Sequence, residues 1–369
     1  MKLKNEDRAI LYAEPSGYIP EEIRKRYKLG EYAESDGLRR LKALMLGHAV
    51  ADALGVPAEF SSREKVAKHP VTDMVGFGAH KVPEGCWSDD TSMSLATLDS
   101  LIADRIDYND IMDKFSAWFR SSEYTPTGAL FDIGNTCMRA IMKYLKSDEK
   151  NALACGSSDE YSNGNGSLMR IHPMAMYVYL KCMDDKEAID VINKTSAITH
   201  ANLRSKMACG IYFFVFRELM REQSKASVIK GLEYAREFYY GMTDEDNYED
   251  FLIYDRMLFK RIGHIYDAAC DDGHEVRQEV SESEIRSSGY VVDTLEAAIW
   301  CILTTYSYKE CVLKAVNLGR DTDTVAAIAG GLAATLYGID SIPEPWLDKL
   351  KRRDYIEKMC EAAYAEWTV

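Results

Sequence analysis

Apolar residues recur at helical spacing along most of this chain. Leu38, Leu41, Met45, His48/Ala49 and Asp52 fall on one face of a helix, because a 3.6-residue period puts positions three and four apart on the same side. That helix stops at Gly55-Val56-Pro57, a breaker sequence. The same spacing predicts helices near 88–103, 108–120, 132–146, 170–182, 184–196, 201–222, 226–239, 293–304, 308–317 and 324–337. No run of strict alternation marks strands, and no solenoid-length repeat occurs. Residues 61–87, with Gly76, Gly78, Pro83 and Gly85, read as loop, and residues 242–292 as a polar insertion or loop region carrying Asp244, Glu245, Asp246, Glu249, Asp250, Asp271, Asp272 and Glu275. The expected fold class is all-α: a single large compact helical domain over residues 38–369, after an N-terminal extension over 1–37 in which Pro20-Glu21-Glu22-Ile23-Arg24 resembles a helix start.

Composition narrows the function. With 369 residues, 47% hydrophobic and 28% charged, the chain can bury a sizeable core. Only nine prolines fit a helical chain, since proline breaks helix interiors. The 45 Lys and Arg against 59 Asp and Glu leave a net charge of −14, which argues against nucleic acid and anionic membrane surfaces as partners. Nine scattered cysteines without a CxxC pair imply neither a disulfide framework nor a zinc ribbon, and suit a reducing cytosol. The most apolar run, Val325 to Ile339, is shorter than the roughly 20 residues that span a bilayer. A cytoplasmic protein is expected.

Four places open helices with unusual chemistry. Trp87-Ser88-Asp89-Asp90-Thr91 and Asp321-Thr322-Asp323-Thr324 each place two carboxylates and a hydroxyl at a helix start. Singly, each reads as a cap, since Asp and Ser cap helices and acids complement the dipole. A cap needs one carboxylate, however, and four carboxylates brought side by side cannot all stay ionised without cations. An all-oxygen set of this kind suits two hard divalent ions, Mg²⁺ or Mn²⁺. In the third segment Asp52 sits on an apolar helix face, either as a satisfied structural carboxylate or as part of the chemistry, and Glu59 follows on a loop. The fourth, Asn163-Gly164-Asn165-Gly166-Ser167-Leu168-Met169-Arg170, is a glycine loop before a helix, a place where backbone N–H groups meet anions. Arg170 is open to two readings, a fork on phosphate or an ordinary helix-surface residue. His200 also precedes a helix, and a lone histidine there is more often a satisfied structural residue than a functional one.

These segments, in this order, resemble the ADP-ribosylglycohydrolase family. The likeness runs from about Leu38 to Gly338 through Ala53-Leu54-Gly55-Val56-Pro57-Ala58-Glu59-Phe60, Trp87-Ser88-Asp89-Asp90-Thr91, Asp132-Ile133-Gly134-Asn135-Thr136, the Gly164–Arg170 loop, Thr199-His200 and Asp321-Thr322-Asp323-Thr324. The resemblance implies an all-helical domain with a binuclear Mg²⁺ (or Mn²⁺) centre between helix N-termini. Its ligands would be Ser88, Asp89, Asp90, Asp321, Asp323 and Thr324, with Asp52 supporting them and Glu59 catalytic. Gly134, Asn165, Gly166, Ser167, Leu168, Met169, Arg170, His200 and Tyr290 fall where relatives bind substrate. Three departures stand out: Ser88 replaces the usual Thr but keeps its hydroxyl, Ala51 replaces a common Gly before Asp52, and Arg320 replaces a common Gly before Asp321. The implied activity is hydrolysis of the bond between ADP-ribose and an acceptor, a protein side chain such as arginine or serine or a small ADP-ribosyl compound. Two competing readings are a catalytically silent ADP-ribose-binding or structural member, and a phosphatase of the haloacid-dehalogenase type, whose DxDxT motif Asp321-Thr322-Asp323-Thr324 mimics.

Overall fold

Fifteen α-helices and no sheet make up the residues described by the computed structural model, 30–244, 247–262 and 280–368. Pro20-Glu21-Glu22-Ile23-Arg24, Glu245, Asp246, Asp271, Asp272 and Glu275 lie outside the described residues. In chain order the helices are α1 (Gly30–Gly55), α2 (Arg63–Lys68), α3 (Asp89–Leu101), α4 (Tyr108–Ser121), α5 (Asn135–Lys146), α6 (His172–Leu180), α7 (Asp185–Ala197) and α8 (Leu203–Arg221). They continue as α9 (Lys225–Gly241), α10 (Tyr248–Tyr254), α11 (Val291–Leu303), α12 (Tyr308–Asn317), α13 (Thr322–Tyr337), α14 (Glu344–Lys349) and α15 (Arg353–Trp367). The all-α class is the one the hydrophobic pattern predicts. Helix α1 starts at Gly30 and runs through the 37/38 division. Four helices go beyond the expectation. Three (α2, α10 and α14) have six or seven residues, too short for a period to show, whereas α15 carries a plain stripe of Ile356, Met359, Cys360, Ala363, Tyr364 and Trp367.

The centre of the molecule is the crossing of α1 and α13. Helix α13 is apolar all round and buried from Thr322 to Leu336, as a central helix must be. Its small residues let the two backbones meet. A Cβ on Gly330 would lie 2.4 Å from that of Ala51, and one on Gly47 would lie 2.3 Å from that of Ala334. The contact continues to the helix ends, where a Cβ on Gly55 would lie 2.3 Å from the Cα of Asp323. There Thr322 Oγ1 donates to the Gly55 carbonyl at 2.7 Å. The C-terminus of α1 is thus locked against the N-terminus of α13.

Candidate metal centre and active site

A third helix end joins these two, and a carboxylate holds it. Asp52, in the last turn of α1, is fully buried and accepts from Ser88 N (3.0 Å), Thr91 N (3.1 Å) and Thr91 Oγ1 (2.6 Å). It therefore satisfies donors that the start of α3 leaves unpaired. Ser88 caps the same helix, accepting from Asp90 N at 3.3 Å. Asp89 and Asp90 are left without a capping task. At the start of α13, Asp321 makes no side-chain cap either; its Oδ2 accepts from Asn165 Nδ2 at 2.9 Å. The two starts touch where Ser88 Oγ (2.9 Å) and Thr324 Oγ1 (3.3 Å) both donate to Asp90 Oδ2.

The electrostatics at this junction are severe. Burial holds the carboxyls of Asp89, Asp90 and Asp323 well above the usual range, and neighbouring carboxylates push the same way. Asp52 is pushed up to about 6 by burial, against the pull of its hydrogen bonds. Asp90 Oδ1 is buried with no protein partner, an unmet acceptor that normally costs stability. Two overlapping sets, Asp52/Asp90/Asp323 and Glu59/Asp321/Asp323, each bring one oxygen per residue within 4.8 Å of the others. Carboxylate and hydroxyl oxygens without Cys or neutral His are the donors of hard divalent cations, so the residues present fit such ions, with Asp323 common to both sets.

Glu59 overlooks this floor from the end of a short 3₁₀ turn, Val56–Ala58. Its carboxyl is hydrogen-bonded to His80 Nε2. Burial raises it to about 7, with the Asp132 and Asp321 charges adding to the rise and the His80 bond opposing it. Hydrogen bonding to Glu59 holds His80 above its ordinary value. The next residue, Phe60, has φ +61, and Arg320, before Asp321, has φ +68. Positive φ costs a bulky residue on the order of 1–3 kcal/mol. The two strained turns hold each other: Phe60 N donates to Arg320 O and Arg320 N to Ser61 O, both at 2.7 Å. This clasp fixes Glu59 relative to Asp321.

Across the cavity lies the glycine loop. Asn165 N donates to Gly289 O at 3.0 Å, and Val291 N to Asn163 O at 3.0 Å, which joins the loop to the start of α11. Gly166 passes so close to His200 and Cys137 that a Cβ there would lie 2.9 Å and 2.8 Å from their side chains. His200 Nδ1 pairs with Thr199 Oγ1 at 2.9 Å, and burial pushes the ring down to about 3, so it stays neutral.

Together these residues enclose a cavity of about 340 Å³. Of the residues singled out in the sequence, Glu59, Asp89, Asp321, Asp323, Thr324, Gly134, Asn165, Gly166, Met169 and His200 line it. Ser88, Asp90 and Asp52 lie behind that wall, bonded as described. Ser167 and Leu168 are buried away from it, Ser167 accepting from Ser196 Oγ at 2.9 Å. Arg170 reaches neither phosphate-facing wall nor surface: it is fully buried over the Phe115 ring and donates to Thr195 O (3.2 Å) and to Thr199 Oγ1 (2.7 Å), the group that holds His200. Tyr290 is half-buried beside Arg204, while its neighbour Gly289 faces the cavity. Arg320 is exposed and contributes backbone to the clasp. Sequence reasoning gave no role to Phe60 or Asp132, which line the cavity, or to His80, which braces Glu59. Asp132 precedes a helix just as the other acids do, so a signal existed; His80 is a lone histidine in a loop, and none did.

The family model described as ADP-ribosylglycohydrolase matches residues 33–369. An ADP-ribosylarginine hydrolase Tri1 from Serratia proteamaculans (strain 568) is 32% identical over 90% of this chain and 80% of that protein. The ADP-ribosyl-[dinitrogen reductase] glycohydrolase of Rhodospirillum rubrum is 30% identical over 84% of this chain and 90% of its own. Among solved structures, an "ADP-ribosylglycohydrolase-related protein complex" superposes with a TM-score of 0.68 at 26% identity, covering 91% of this chain and all of that one.

Proposed function

This chain belongs to the ADP-ribosylglycohydrolase family, and from that premise we propose that it hydrolyses the glycosidic bond between ADP-ribose and an acceptor, releasing ADP-ribose. The carrying observation is the junction of two helix starts whose aspartates have no capping task and include the orphaned Asp90 Oδ1. Ser88, Asp89, Asp90, Asp321, Asp323 and Thr324 would hold two divalent ions, Mg²⁺ or Mn²⁺, with Asp52 supporting them. When bound, such ions supply charge neutralisation and Lewis-acid polarisation at substrate hydroxyls.

The rest follows from the chain's own groups. Glu59, raised to about 7, is present in both protonation states near neutrality: protonated it can give a proton to the leaving group, ionised it can take one from water. His80 and the clasp keep that carboxyl in place, so positioning contributes to the rate. The transition state of glycoside hydrolysis is oxocarbenium-like, and the carboxylates around it favour positive charge. The Asn165–Gly166 backbone, Gly134 and neutral His200 offer uncharged surfaces to a diphosphate, which an acidic protein would otherwise repel. Arg170, through Thr199, keeps His200 oriented.

For the acceptor we take arginine-linked ADP-ribose, the substrate in the name of the Serratia proteamaculans Tri1. We assign the protein to the cytoplasm, a compartment that keeps thiols reduced, because the described cysteines are free thiols. The DxDxT phosphatase reading expects a preceding strand; here the motif opens α13 and no sheet exists among the described residues. Glu59→Gln tests the assignment. At saturating Mg²⁺, ADP-ribose affinity should hold within about twofold while release from an ADP-ribosylarginine peptide falls roughly 10²- to 10⁴-fold; full activity in that variant contradicts the role.

A further inference from the structure

The cavity wall carries one group that neither a cation nor a diphosphate needs. Phe60 lines the cavity and is 72% exposed, although a phenyl ring gains by leaving water. Its φ of +61 is one a bulky residue keeps only where the surroundings over-determine it. Here the backbone bonds to Arg320 do so, which keeps the ring at the rim. An aromatic row backs it: the Phe60 and His80 ring centroids are 5.8 Å apart, and those of His80 and Phe131 are 5.2 Å apart. The carboxyls of Glu59 and Asp132, which flank that row in sequence, line the same cavity. The loop side offers backbone amides and His200. The Phe60 ring therefore stands at the cavity rim beside two acid groups.

We propose that Phe60 is a specificity-determining residue, whose ring face stacks on the planar guanidinium of an arginine acceptor beside Glu59. A guanidinium is planar, weakly hydrated and attracted to aromatic faces, and the Asp132 carboxyl complements its charge. An acceptor joined through a hydroxyl brings no cation and gains nothing from the ring. The proposal rests on the reading that ADP-ribose fills this cavity with its scissile bond beside Glu59.

Binding tests it without turnover. In the Glu59→Gln background with Mg²⁺, calorimetry gives Kd for ADP-ribosylarginine and for ADP-ribose, with Phe60 intact and as Phe60→Leu and Phe60→Trp. With the ring present, ADP-ribosylarginine should bind about 3- to 30-fold more tightly than ADP-ribose, the range of a cation–π contact. Phe60→Leu keeps apolar bulk without a π face and should erase that advantage while the Kd for ADP-ribose stays within twofold; Phe60→Trp should restore it. If the Leu variant keeps the advantage, or both ligands weaken together, the ring is apolar packing and the proposal falls alone. If ADP-ribose fails to bind even with Phe60 intact, the reading of the site falls and takes the proposal with it.

Discussion

The two acidic helix starts look alike in sequence and are held in opposite ways. The start of α3 is buried and over-supplied with partners: Ser88 caps it, and Asp52 accepts three donors from Ser88 and Thr91. The start of α13 has no side-chain cap. It is fixed on carbonyls of other segments instead, by Thr322 Oγ1 on Gly55 O, Arg320 N on Ser61 O and Asp321 N on Ser287 O, the last at 3.0 Å. Both solutions relieve the aspartates of capping. An acid at a helix start is ordinarily explained by capping and the helix dipole; at this junction other groups do the capping, and Asp90 Oδ1 is left with no protein partner.

Breaking the junction at its shared member should have the largest effect. Asp323→Ala removes an oxygen common to both candidate sets. Release of ADP-ribose should fall beyond the roughly 10- to 100-fold typical when a residue that merely orients a metal ligand is lost, and Mg²⁺ binding by calorimetry should fall with it. The metal-free variant should be no less stable than the parent, since a buried charge has gone.

The contrast between the two starts predicts a contrast in stability. Asp52→Ala leaves Ser88 N, Thr91 N and Thr91 Oγ1 buried without their acceptor, at about 2–4 kcal/mol. Asp321→Ala removes no cap and should cost the metal-free protein under about 1 kcal/mol. Denaturant unfolding of the two variants without metal checks this; equal losses would mean that the starts are built alike.

The smallest effect is a pH slope. Carboxyls raised in the native state bind protons more tightly there than in the unfolded chain, so stability falls as pH rises wherever the native state holds more protons. For Glu59 the penalty sets in above its ordinary value of 4.5 and is complete above about 7; burial moves Asp89, Asp90 and Asp323 the same way. The buried neutral His48, His172 and His200 oppose this below their ordinary value of 6.5, so the comparison is made above it: the metal-free protein should melt higher near pH 6.5 than near pH 8, and saturating Mg²⁺ should flatten or reverse that slope.

Much of this was legible in the sequence where period and motif coincide. The α1 stripe ending at Gly55-Val56-Pro57 and the paired acids at Asp89-Asp90 and Asp321-Asp323 point to helices and to their unusual starts. Contacts between distant segments were not legible. Nothing in loop 61–87 shows that His80 bonds Glu59, because a lone histidine has no spacing to read. Arg170 looks like a surface or phosphate-binding residue until burial over Phe115 is seen. The short helices α2, α10 and α14 fall below the length at which a hydrophobic period shows, whereas the stripe of α15 was there to be read.

One assay tests the central claim, that the two helix starts form a cation site serving ADP-ribose release. An ADP-ribosylarginine peptide is incubated with the protein in Mg²⁺, in EDTA, and in EDTA followed by excess Mg²⁺, and free ADP-ribose is measured. Release is expected in Mg²⁺, with its loss in EDTA and its return on adding Mg²⁺ back. Undiminished release in EDTA, or none in any condition including Mn²⁺, would contradict it.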